Sequence, residues 1–136
     1  MARVLIVEDD RAIREMIACA LACEGHEVTT LSDGGRVVEV LSALHESCVV
    51  LLDLMMPWVD GWAVCRALEA TPALLARHPV IVMTATPLPE SAYPGSASAV
   101  LHKPFGLEHL YRLIAALGAP MATAAERPTT VGAWAS

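Results

Sequence analysis

Four short runs of aliphatic and β-branched residues, each ending on a polar side chain, limit this chain to few folds. Val4-Leu5-Ile6-Val7 runs into Glu8-Asp9-Asp10, and Val49-Val50-Leu51-Leu52 ends on Asp53. Val80-Ile81-Val82-Met83 ends on Thr84, and Val100-Leu101-His102 ends on Lys103-Pro104. Continuously apolar runs of this length read as strands buried on both faces, as in a parallel sheet. Ligand sites of such sheets lie beyond the carboxyl ends of the strands. Glu8, Asp9, Asp53, Thr84 and Lys103 are therefore expected around one crevice.

Helical patterns alternate with these runs. From Arg11 to Glu24, Ile13, Met16, Ile17, Ala20 and Leu21 recur on one face, and Gly25 suits the C-terminal cap. Glu27 to Leu31 reads as a weakly alternating strand. Ser32-Asp33 offers a cap for a helix over 34–45, with Val38, Leu41 and Leu44 inward. A third helix is expected from the turn at Asp60-Gly61, with Trp62, Cys65 and Leu68 inward, running on loosely to Ala76. The last spans Leu107 to Leu117. Between Thr84 and Val100 the pattern fails. Pro87, Pro89 and Pro94 leave room for one short helical piece at most, because proline lacks the N–H and clashes with the preceding turn. Alternation of strand and helix gives a doubly wound α/β fold.

The chain has 136 residues, enough for one domain, and 55% hydrophobic content with 18% charged residues describes a packed body. A net charge of −6 with nine scattered basic residues argues against direct nucleic-acid binding. No run reaches the ~18–20 apolar residues of a membrane span, and the N-terminus lacks a signal-peptide pattern, so a cytoplasmic location is expected. Cys19, Cys23, Cys48 and Cys65 form no CxxC pair and read as small buried hydrophobes. His26, His45, His78, His102 and His109 show no ligand-like spacing and read as surface residues. Residues 119–136 shift to Ala, Thr and Pro and are expected to be disordered or loosely docked beside a domain spanning 1–118.

The acidic pair after the first strand, Asp53-Leu54-Met55-Met56-Pro57 with Asp60-Gly61, Thr84 after the fourth strand, and Lys103-Pro104-Phe105 after the fifth form a set. With that set the chain resembles the receiver domain of bacterial two-component response regulators over roughly residues 2–118. The resemblance implies a flavodoxin-like, five-stranded parallel sheet in the order 2-1-3-4-5 with helices on both faces. The fourth helix is expected to be short or irregular here.

The chemistry is also legible in the residues. Glu8, Asp9 and Asp53 crowd three carboxylates together, which is unfavourable unless a cation neutralises them. Oxygen ligands suit Mg²⁺ or Mn²⁺. Asp53 then serves as an oxygen nucleophile toward a phosphoryl group, with Lys103 and Thr84 meeting its outer oxygens. The resemblance implies the Met55 backbone carbonyl as a further metal ligand and a cis peptide at Lys103-Pro104. It also implies a sensor histidine kinase or phosphotransfer protein as phosphodonor, and a downstream protein partner that reads the result. No output domain is expected in the residues after Leu117. The chain is thus read as a phospho-acceptor signalling module that catalyses only its own phosphorylation and dephosphorylation.

Two departures stand out. Receivers place Tyr or Phe three residues before the lysine, where this chain has Val100, and the interval from Thr84 to Lys103 is shorter than the family's. Both fall on the face that such domains use for output. One alternative is therefore a receiver-like interaction protein that works without phosphorylation. Another is an aspartyl-phosphate phosphohydrolase, which would need a second Asp at position 55, occupied by Met. A flavodoxin-like cofactor binder would need a phosphate-cradling first loop, and Glu8-Asp9-Asp10 repels phosphate.

Overall fold

Five parallel strands form one sheet in the order β2-β1-β3-β4-β5 in the computed structural model, which describes residues 1–118. They are β1 Arg3–Val7, β2 Glu27–Leu31, β3 Val49–Asp53, β4 Val80–Thr84 and β5 Ala97–His102. Every residue of β3 and β4 is buried, which is why their sequences carry no alternation. The order reverses between β1 and β3, so the crevice at this switch point opens where Glu8 and Asp53 leave the sheet.

Helices cover both faces. Helix α1 Arg11–Cys23 and helix α5 Leu107–Leu117 enclose one core with Val4, Ile6, Leu51, Ile81 and Leu101. Helices α2 Val37–Ser42, α3 Gly61–Glu69 and α4 Pro72–Arg77 enclose the other with Leu5, Val50, Leu52 and Val82. Truncating any one of these fully buried Leu or Ile side chains to Ala would cost about 2–5 kcal/mol. Asp10, Asp33 and Asp60 each start a helical segment by accepting a backbone N–H from Ile13, Gly35 and Ala63 respectively.

Several expectations need correction. The second helix does not run over 34–45: a 3₁₀ turn at Gly34–Arg36 precedes α2, which stops at Ser42. Gly-Gly and three valines in four positions supply little helix propensity. The third helix does not continue to Ala76 either. Pro72 forces Thr71 out of the helical region, at φ −127° and ψ 72°, and starts the separate α4.

Cys19 and Cys23 are exposed, unlike buried Cys48 and Cys65, because Ile17 and Leu21 define the core face of α1 and positions two residues on point away. His78 is not a surface residue but fully buried. Its Nδ1 accepts the Cys48 N–H at 3.0 Å, satisfying a donor at the mouth of β3 that no strand pairs. The segment between β4 and β5 holds only a 3₁₀ turn at Glu90–Ala92. The tail expectation for 119–136 lies outside the described residues.

Candidate functional site

The carboxyl ends of β1, β3, β4 and β5 bring the acidic residues and the lysine together. At the end of β1, the Glu8 N–H bonds Leu31 O of β2 at 3.1 Å, turning its side chain into the crevice. Arg14 of α1 donates to the Glu8 carbonyl at 2.8 Å and to the Asp9 carbonyl at 3.3 Å, pinning the acidic loop to the next helix.

At the end of β3, the Met55 N–H donates to Asp53 Oδ1 at 3.1 Å, while the Met55 side chain is exposed. Gly61 lies flat on this strand end, and its N–H bonds Leu54 O at 3.1 Å. A Cβ on Gly61 would collide with the Asp53 carbonyl oxygen, so only glycine allows the start of α3 to close over the acid. At the end of β5, the Lys103 N–H bonds Thr84 O at 2.7 Å, and the Lys103–Pro104 peptide is cis.

Oxygens of Glu8, Asp9 and Asp53 lie within 4.8 Å of one another. Glu8 and Asp53 are buried and Asp9 is exposed. Lys103 Nζ sits 2.5 Å from Glu8 Oε1 and 3.3 Å from Asp53 Oδ2. Burial first, and then the neighbouring Asp53 carboxyl, push Glu8 up to about 8, with the Lys103 hydrogen bond opposing them. Burial by itself would lower Lys103, but its hydrogen bond to Glu8 and the charge of Asp53 outweigh that and hold it above its ordinary value. The pocket therefore keeps a proton on Glu8 that a dication can displace. Glu8 Oε2 is buried with no hydrogen-bond partner, a polar atom that a cation could engage once the proton leaves. The residues fit a divalent cation.

Thr84 is buried at the end of β4, but its hydroxyl is not turned to the acids. Oγ1 donates to Thr86 O and accepts the Thr86 N–H, both at 3.1 Å. Beside Lys103 an open cleft of about 310 Å³ is lined by Ile13, Met16, Ala85, Pro104 and Phe105. In the turn between β3 and α3, Trp58 is 94% exposed and adopts φ 66°, a left-handed conformation that a bulky residue enters at a cost.

Nothing in the sequence singles out Arg14 or the Met55 N–H, and Gly61 enters only as part of the Asp60-Gly61 turn. Their roles depend on which backbone each meets after folding. The Asp-Gly pair at 60–61 reads as a turn and cap, and the glycine's packing on Asp53 has no separate signal.

Comparison with known proteins agrees with this geometry. The family model of the response regulator receiver domain matches residues 4–115. Response regulator MprA of Mycolicibacterium vanbaalenii is 37% identical over 118 residues, which cover 85% of this chain and 49% of that protein. MprA of Mycobacterium leprae is 38% identical over 118 residues, covering 85% and 50%. The chain thus spans about half the length of the curated relatives it matches. Among solved structures, the chemotaxis protein CheY4 of Vibrio cholerae superposes with a TM-score of 0.74 at 29% identity, covering 85% of this chain and 97% of that one. The response regulator TrrA of Thermotoga maritima, in complex with Mg²⁺ and BeF, gives 0.72 at 26% identity, with coverage of 85% and 97%. Sheet order, acid pocket and matched family model lead to one assignment: this chain belongs to the response regulator receiver domain family.

Proposed function

We propose that Asp53 accepts a phosphoryl group from a phosphohistidine on a sensor histidine kinase or phosphotransfer protein. The observation that carries the proposal is the position of Lys103 Nζ, within 3.3 Å of Asp53 Oδ2 in a pocket of three carboxylates. An Asp53 oxygen attacks phosphorus, the P–O bond forms, and the P–N bond breaks with its electron pair leaving on the imidazole. Lys103 meets charge on one outer oxygen of the transferring group, and the Thr84 hydroxyl serves a second after turning from Thr86. Glu8, Asp9, Asp53 and the Met55 carbonyl are the ligands proposed for Mg²⁺ or Mn²⁺, which when bound neutralises charge in the pocket.

The chain's catalysis in this reading is confined to its own phosphorylation and dephosphorylation. Its signal passes by contact with a downstream protein. No described helix is long and apolar enough to cross a membrane, in keeping with a cytoplasmic site of action.

Acetyl phosphate with Mg²⁺ supplies the test. Wild type should gain one base-labile phosphoryl group, seen by intact mass, and Asp53→Asn should gain none. Equal labelling of the two would move the nucleophile elsewhere.

A further inference from the structure

The segment between β4 and β5 replaces a regular helix with Thr86-Pro87-Leu88-Pro89, a 3₁₀ turn at Glu90–Ala92, and Tyr93. Tyr93 and Val100 both pack, half-buried, against the core between the sheet and α2–α4, so the loop brings an aromatic ring to the core face on which that strand position carries only a small residue. Its hydroxyl lies 2.7 Å from His102 Nε2, and the two rings meet edge to face at 6.1 Å and 78°. His102 is paired in register with Thr84 and precedes Lys103. The loop is thereby tied at one end to the Thr84 hydroxyl, through Thr86, and at the other to the end of β5.

We propose that the Tyr93–His102 pair is a latch that holds this loop in the arrangement belonging to the vacant acceptor and releases it when Asp53 carries a phosphoryl group. The coupling comes from proton count. A hydroxyl has one proton, so Thr84 Oγ1 cannot donate both to Thr86 O, as it does here, and to a phosphoryl oxygen. Occupancy of Asp53 therefore breaks the bond to Thr86 O, and the turn of the hydroxyl toward the phosphoryl group draws Oγ1 away from the Thr86 N–H that it also accepts. Two prolines stiffen the stretch between Thr86 and the 3₁₀ turn, so displacement of Thr86 is carried to Tyr93 rather than absorbed. Val100 supplies no ring at its strand position, and Tyr93 is the aromatic that this loop itself carries. The latch rests on the phospho-acceptor reading and deepens it by naming the element that reports the acceptor's state.

The test uses the whole chain titrated with beryllofluoride in Mg²⁺, followed by Trp58 fluorescence and by amide exchange of residues 85–99. Wild type should saturate, with faster exchange in that segment once bound. Tyr93→Phe and His102→Leu should each lower the half-saturating concentration roughly two- to tenfold, the equivalent of one modest hydrogen bond favouring the vacant state. The double variant should show no further change, because either substitution removes the same contact. Unchanged half-saturation, with melting temperatures lowered equally in bound and free protein, would make the pair purely structural and overturn the latch. A wild type that binds no beryllofluoride, or an Asp53→Asn variant that binds it equally well, would instead overturn the acceptor reading and the latch with it.

Discussion

Lys103 and Glu8 form the shortest polar contact of the pocket, Nζ to Oε1 at 2.5 Å, with the glutamate fully buried. Glu8 is one methylene longer than aspartate, and that length lets it reach the lysine from the end of β1 while Asp53 approaches from β3. One oxygen is thereby committed to Lys103. The other, Oε2, is left open.

The first prediction concerns pH. Burial and the neighbouring Asp53 carboxyl push the folded Glu8 carboxyl up to about 8, from an ordinary value of 4.5. Between those values the native state binds the extra proton, so in metal-free protein this group's contribution falls as pH rises. Mg²⁺ should restore it, and the Mg²⁺-induced rise in Tm should grow with pH over the same range. Glu8→Gln should flatten both trends. Melting curves from pH 5 to pH 8.5, in chelator and in millimolar Mg²⁺, check this.

Gly61→Ala should be costly in a turn where alanine is ordinarily harmless. Its Cβ would strike the Asp53 carbonyl oxygen and Leu54 Cα, both backbone and unable to rotate away. We expect a loss of about 1–3 kcal/mol and slower uptake of phosphate from acetyl phosphate, because the acid is displaced. Gly106→Ala, which meets nothing within 4 Å, is the matched control. Denaturant midpoints and labelling rates for the two variants decide it.

Trp58→Asn should stabilise the fold by about 1 kcal/mol, since asparagine tolerates positive φ and a 94% exposed indole gives up little packing. A Tm raised by a few degrees, with acetyl phosphate labelling unchanged, is the expected result. A lower Tm would mean that the indole makes a stabilising contact.

His78 is held below its ordinary value, first by burial and then by the Arg77 charge. The unfolded chain therefore protonates first, and stability from this group is full above pH 6.5 and lost as pH falls through the folded value. Burial and the N-terminal amino group depress His26 as well, so it adds a loss of the same sign. The difference between wild type and His78→Leu isolates the buried ring. The variant should be less stable at pH 7.5, where it leaves the Cys48 N–H without an acceptor, yet lose less between pH 6.5 and pH 5.

The strands and the acid pocket are legible in the sequence because their signals are local. An apolar run ending on a carboxylate records both burial and strand direction within six residues, and Asp10, Asp33 and Asp60 mark helix starts through the backbone N–H groups two or three positions on. The features that escape such a reading depend on distant partners. His78 is buried because it meets a backbone N–H 30 residues away at Cys48. Tyr93 finds His102 only because β5 brings it back alongside β4. Residue type alone makes Cys19 and Cys23 look buried, whereas helical phase places them outward. The break at Thr71-Pro72 is announced by the proline, and the apolar residues on either side mask it.

The grip of Arg14 on the Glu8 and Asp9 carbonyls has a mechanical consequence. Helix α1 has 13 residues and is bolted to the pocket at its first turn by that guanidinium and by the Asp10 cap, so it projects from the pocket as a rod about 20 Å long. The loop between β4 and β5 is held by lighter ties, the Thr84 hydroxyl at one end and the exposed Tyr93–His102 contact at the other. When two walls of unequal stiffness share a load, the displacement goes to the compliant one. Occupancy of this pocket should therefore leave α1 in place as a fixed reference and direct motion along the β4–β5 edge.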